Sequence, residues 1–217
     1  MNNKTLPIVI KILKKEFSKY RVPSVTEVSY RRDPFLVLIS CLLSLRTKDE
    51  TTTPAANRLF KLAKTPKTMM KLTTKRIEKA IYPVGFYITK AKRIKEICKV
   101  LVSKYKGKVP DDLEELLKLK GVGRKTANLV IALGYGGDGL CVDTHVHRIS
   151  NRLGYVKTKT PEHTEMALRK KLQKKYWIIY NDLLVTWGQN VCRPISPFCS
   201  NCPIAKYCKR VGVGVSR

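Results

Sequence analysis

Lys125, in the run Leu119-Lys120-Gly121-Val122-Gly123-Arg124-Lys125-Thr126-Ala127, and Asp143, in Val142-Asp143-Thr144-His145, set an amine and a carboxylate close to a glycine turn. Glycines permit positive φ and let bare backbone N–H groups approach an anion, so Gly121, Val122 and Gly123 suit a hairpin that grips phosphate. From Arg124 the apolar residues Ala127, Leu129, Val130, Ile131 and Leu133 resume a helix, whose positive end favours a phosphate at its start. Lys125 falls in that first turn, where the dipole and Arg124 both oppose protonation of its amine, and a lysine so placed can be a nucleophile. The plainer reading in a lysine-rich chain is a solvated charge or a phosphate contact. Asp143 can cap a helix starting at Thr144, a role compatible with catalysis because a capping carboxylate is rigidly held.

Cys192, Cys199, Cys202 and Cys208 make a C-x6-C-x2-C-x5-C run. An odd total of seven cysteines and no secretory signal argue against ordinary disulfides and for a metal centre. The spacing leaves zinc and iron–sulfur both open; four-cysteine zinc sites usually pair two close C-x-x-C knuckles, and only one is present. Cys41, Cys98 and Cys141 sit among apolar residues and are expected to be buried thiols.

The elements that must position these groups are helical. Leu6 to Leu13 begins an amphipathic helix, Asp33-Pro34 starts a helix from Phe35 to Leu45 that is apolar nearly all round, and Thr53-Pro54 starts another from Ala55 to Leu62. Helices are expected from Thr73 to Ile81, Ile88 to Tyr105, Thr144 to Leu153, Pro161 to Lys174 and Trp177 to Val191. Before the hairpin, Pro110-Asp111-Asp112 leads into the short helix Leu113-Glu114-Glu115-Leu116-Leu117. No alternating strand, repeat or low-complexity linker is visible, so the expected class is all-α.

The formal charge is +28 on 217 residues, the balance of a polyanion binder. It is spread along the chain: Lys11, Lys14, Lys15 and Lys19, then Lys90, Lys92, Arg93 and Lys95, then Lys170, Lys171, Lys174 and Lys175, as solvated helix faces and phosphate contacts. No apolar run reaches membrane-spanning length and no targeting pattern is seen, so no membrane role is expected and the setting is cytoplasmic, nucleoid-associated or otherwise intracellular with access to DNA.

From Leu119 to Arg152 the sequence closely resembles endonuclease III, of the helix-hairpin-helix DNA glycosylases. The resemblance implies two lobes: a six-helix barrel over residues 30–137, with the helix-hairpin-helix at about 112–135, and a cluster domain from residues 1–29 and 138–217. It implies that Lys125 attacks C1′ of a damaged nucleotide while Asp143 assists from across a domain junction, and that a 4Fe–4S cluster is held by Cys192, Cys199, Cys202 and Cys208. DNA contacts fall on Lys120, Gly121, Val122, Gly123, Arg124 and Arg193, and a monovalent cation on the hairpin carbonyls of Leu117, Leu119 and Val122. The implied activity is a monomeric bifunctional glycosylase and abasic-site lyase on double-stranded DNA, releasing oxidised pyrimidines through a Schiff base and nicking the strand.

Departures from the family pattern mark where this member can differ. Arg46 stands where relatives carry glutamine and Phe86 where they carry leucine, two positions that fill the gap left by a flipped base. Lys120 replaces a proline of the hairpin, and Arg193 is the lone basic residue between Cys192 and Cys199. His145 could reach the lesion pocket, or could be structural. Two alternatives are retained: a thymine or uracil mismatch glycosylase of the same fold, and a non-catalytic DNA-binding protein with a structural metal site.

Overall fold

The computed structural model describes residues 1–20 and 33–217 and is all helix, turn and coil, with no strand among the described residues. The chain forms two compact units, Met1–Pro23 with Leu140–Arg217, and Ser24–Gly139. The boundary expected between residues 29 and 30 lies outside the described residues.

Helix α1 spans Leu6–Phe17, and the Ser24–Gly139 unit contains α2 (Pro34–Ser44), α3 (Asp49–Leu62), α4 (Pro66–Lys71), α5 (Thr74–Ile81) and α6 (Tyr87–Lys104). It closes with α7 (Leu113–Leu117), α8 (Arg124–Leu129) and a π-helical turn, Val130–Gly134. Helix α2 is its axis: every residue from Phe35 to Leu43 is buried, and it packs on α3, α6, α8 and the π turn. Asp33 caps it, the Oδ1 accepting from the N–H groups of Phe35 and Leu36 at 2.9 and 3.1 Å. A helix with no polar stripe can only be central to a core, which is how its sequence reads.

Two expectations are corrected here. The helix expected to start at Thr53-Pro54 starts at Asp49 and runs through Pro54. Asp49 and Glu50 favour the positive end of that helix, and the Thr52 hydroxyl returns to the Lys48 carbonyl at 3.0 Å, so the turn before the proline is already secured. Helix α4 was not anticipated, although Thr65 and Thr68 form a reciprocal capping box with Pro66 in the first turn.

The other unit comprises α1, α9 (Thr144–Arg152), α10 (Pro161–Lys171) and α11 (Trp177–Asn190) with the cysteine tail. Leu6, Val9, Ile10 and Leu13 of α1 share one core with Val146, Ile149, Leu168, Tyr180, Leu184 and Trp187. Each such side chain contributes about 1.5–3 kcal/mol on burial, so α1 is an integral part of this unit despite its distance along the sequence.

Candidate active site and cysteine centre

The hairpin is a four-residue turn: the Val122 N–H donates to the Leu119 carbonyl at 2.9 Å, with Gly121 third at φ +86°. Only glycine adopts that angle without strain, and a Cβ there would also meet the Arg93 side chain at 3.1 Å. Gly123 acts differently from the expectation of positive φ. At φ −98° and ψ 173° it is the extended residue before α8, capping it with backbone alone. Leu119 and Val122 are buried anchors, whereas Lys120 and Gly123 are exposed.

Below the hairpin, Asp112 caps α7 through the Glu115 N–H at 3.0 Å. Glu115 then ties the hairpin to the end of α6, receiving the Tyr105 hydroxyl at 2.8 Å and the ammonium groups of Lys118 and Lys104. Lys118, then Tyr105, and Lys104 hold its carboxyl down at about 2. Lys125 is the second residue of α8 and is exposed, while Arg124 is half-buried. Beneath, burial in α2 pushes the Cys41 thiol up to about 12 against the pull of the nearby Lys125 ammonium. The other two thiols expected to be buried, Cys98 and Cys141, are buried as well.

In the other unit, Asp143 is 9% exposed and caps α9, Oδ1 accepting from the His145 and Val146 N–H groups at 2.9 Å each. The cap takes one carboxylate oxygen and fixes the plane of the group. His145, half-buried, packs its ring against Gly188 of α11, with Nδ1 3.1 Å from the Arg148 guanidinium. Arg148 also donates to the Cys192 carbonyl at 2.8 Å, and Arg152 to the carbonyls of Arg193 and Pro194 at 2.6 and 2.7 Å. No local sequence signal singles out these two arginines of α9, because the carbonyls they grip lie some forty residues further along the chain.

Arg46 and Phe86 come together. The guanidinium carbon of Arg46 lies 5.9 Å from the centre of the Phe86 ring, and both residues line one pocket with Leu42, Leu45, Lys90 and Arg93. Both occupy the left-handed backbone region, at φ 52° and 59°, a costly placement for bulky side chains that recurs at functional sites. Phe86 is 63% exposed, which rules out the ordinary core aromatic.

Lys90 corrects the reading of its basic run as solvated or phosphate-bound. It is only 9% exposed, and burial draws its ammonium down to about 8. The available signal was its register: Lys90, Ile94, Ile97 and Leu101 share the buried face of α6.

Cys192, Cys199, Cys202 and Cys208 line a single apolar cavity with Trp187, Phe198 and Ile204. Among the described residues no group of three or more His, Cys, Asp or Glu is arranged around one metal ion. The donor set nevertheless fits a polynuclear centre: four thiols lining one apolar cavity beside a hydrophobic core could ionise together only against several cationic charges. N–H donors already face the sulfurs, from Arg152 to Cys192 and from the Arg210 backbone to Cys208, both at 3.4 Å. Arg193 is exposed, its guanidinium 5.1 Å from the Phe198 ring centre.

A glycine hairpin leading into a lysine-bearing helix and then an aspartate-capped helix define a class, and residues 39–174, which hold all three, match it: the chain belongs to the HhH-GPD superfamily of base excision DNA repair proteins. Within it, endonuclease III of Thermotoga maritima is 51% identical over 177 residues, 82% of this chain and 83% of that one. Solved structures of a non-covalent endonuclease III–DNA complex and of a trapped endonuclease III–DNA covalent intermediate each superpose with a TM-score of 0.82 at 31% identity, over 97% of this chain and 96–97% of theirs. This membership makes the chain a base-excision DNA glycosylase with lyase activity, and sets aside the non-catalytic reading.

Proposed function

We propose that this enzyme releases oxidised pyrimidines from double-stranded DNA, with Lys125 as nucleophile and Asp143 as its carboxylate partner, and then cleaves the abasic strand. The observation that carries this reading is the placement of Lys125: exposed, in the first turn of α8 and immediately after the type of turn that admits a DNA backbone. The hairpin residues Lys120 to Arg124 hold phosphate, and Arg46 and Phe86 fill the space of the extruded nucleotide. His145 borders the lesion pocket and Arg193 touches the backbone. The Leu117, Leu119 and Val122 carbonyls offer oxygen ligands to a monovalent cation.

The neutral Lys125 amine attacks C1′, the C1′–N bond breaks, and the base leaves with a proton. Asp143 stabilises positive charge developing on the sugar and assists removal of the amine proton. Opening of the ring oxygen gives a Schiff base that acidifies the C2′ proton. Its removal expels the 3′ phosphate, and water then hydrolyses the imine to restore the amine.

Cys192, Cys199, Cys202 and Cys208 would hold the 4Fe–4S cluster. When bound, it supplies cationic charge that ties the tail to the core of its unit. The enzyme acts as a monomer wherever the cell keeps its DNA.

A second reading is favoured by one observation. The pocket around Phe86 is lined by two arginines, Arg46 and Arg93. Arginine donates without accepting, which matches guanine O6 and N7 better than adenine N6 and N7, so pyrimidines opposite guanine, including mismatched thymine or uracil, become substrates. One panel tests both readings: duplexes carrying oxidised pyrimidines, thymine or uracil opposite each base, scored for base release and for borohydride trapping. Oxidised pyrimidines should be released and trapped, and Lys125→Ala should trap nothing; an adduct surviving in Lys125→Ala would overturn the assignment of the nucleophile. Release confined to mismatches would select the second reading.

A further inference from the structure

Lys90 is the one buried lysine among the described residues, and its position in α6 puts it behind the two loops that carry Arg46 and Phe86. Its Nζ donates to the Leu43 carbonyl at 2.7 Å, the Leu45 carbonyl at 2.6 Å and the Thr47 hydroxyl at 3.1 Å. Those three acceptors bracket Arg46. Leu43 lies in the last turn of α2, where helix carbonyls lack intrahelical partners and the dipole end is negative, so the ammonium satisfies the end of the helix as it fixes the chain beyond it.

The connection continues into the second loop. The Thr47 hydroxyl accepts the Gly85 N–H at 3.2 Å. A Cβ at Gly85 would come within 2.9 Å of the Arg46 carbonyl, so the two loops touch backbone to backbone. From one amine, a chain of hydrogen bonds therefore reaches the residues flanking both left-handed positions, Arg46 and Phe86. Such backbone conformations persist only where the surroundings over-determine them, and Lys90 supplies three of the bonds that do so.

We propose that Lys90 is a positioning residue for the wedge: it holds Arg46 and Phe86 as a preformed pair, and so governs action on a base that must be flipped from a duplex while leaving the covalent chemistry at Lys125 untouched. This rests on the reading of Arg46 and Phe86 as the wedge. Burying an ammonium is costly, and three well-placed acceptors offset that cost only in this loop geometry. A methionine of similar length would fill the same space with no donor.

The experiment compares wild type, Lys90→Met, Arg46→Ala and the double variant on two DNAs: a duplex with an oxidised pyrimidine, and a single strand with an abasic site, which needs Lys125 but has no stack to open. A third measurement follows 2-aminopurine fluorescence opposite a non-cleavable abasic analogue. Lys90→Met should lower kcat on the duplex about 10- to 100-fold, the scale of a small misplacement near the chemistry, and should weaken the 2-aminopurine response. Single-strand cleavage should stay within about twofold, and the double variant should be no worse on duplex than the poorer single one, because both act on one wedge. Equal losses on both DNAs, additive losses in the double variant, or an unchanged duplex rate would overturn the proposal. An unchanged duplex rate in Arg46→Ala would instead overturn the wedge reading itself. If Lys90→Met fails to fold, Thr47→Val removes the hydroxyl joining the two loops and is judged by the same outcomes.

Discussion

At the scale of single residues, Asp143 shows how one side chain can hold two roles. Its Oδ1 is committed to the first N–H groups of α9. Asparagine caps helices about as well as aspartate, so Asp143→Asn should keep the wild-type melting temperature while base release falls about 10²–10⁴-fold, the usual weight of a lost acid–base group. Asp143→Ala should lose the rate and also about 0.5–2 kcal/mol of stability. A wild-type rate in Asp143→Asn would reduce this residue to a cap. The cap was legible because an aspartate just ahead of apolar residues at helical spacing, Val146, Ile149 and Leu153, has one strong local meaning. The burial of Lys90 was obscured by its setting: among Lys92, Arg93 and Lys95 it reads as one more surface charge, and only the loops packed over it make it a buried one.

At the scale of elements, the hairpin depends on what anchors it. Glu115 links α7 to the end of α6 through Tyr105 and Lys104 and pairs locally with Lys118, and its carboxyl is held down at about 2 from an ordinary 4.5. A depressed carboxyl contributes stability that is complete above the unfolded value and is lost as pH falls from about 4.5 toward 2. Glu115→Gln should therefore lower the melting temperature at neutral pH and converge with wild type as pH falls toward 2, which flattens the acid limb of the stability profile; an unchanged neutral melting temperature with an identical acid limb would show that the contacts contribute nothing. The caps and apolar stripes that fix most helices are local, which is why Asp33, Asp112 and Asp143 could be read as starts. Helix α4 is too short for periodicity to reveal, and the start of α3 was misread because a proline was taken as an opening signal when it sits inside the helix. The π turn after α8 has no local sequence signature, since its spacing depends on packing against α2.

At the scale of the whole molecule, the cysteine tail closes the core of the unit to which it belongs. If it holds an iron–sulfur centre, the purified protein is yellow-brown, and Cys202→Ala should lose the visible absorption and lower the melting temperature. Cys98→Ala, in the other unit, should leave the absorption unchanged. A colourless wild type containing zinc would contradict the cluster. The cysteine spacing points to a metal centre, and the resemblance implies iron–sulfur over zinc. Neither could reveal that two arginines of α9 would grip the loop leading from the first of those cysteines.

The shared core of α1 with Val146 to Ile204 also sets a timetable. A ribosome adding about 5–20 residues per second releases α1 roughly 10–40 s before its last packing partners, with all of Ser24–Gly139 made in between. The nascent α1 must wait with Leu6, Val9, Ile10 and Leu13 uncovered, and the exposed Lys11, Lys14 and Lys15 keep that waiting segment in water. The middle of the chain can fold while α1 and the segments that cover it are still strangers, and the four tail cysteines arrive only after the helices they pack upon.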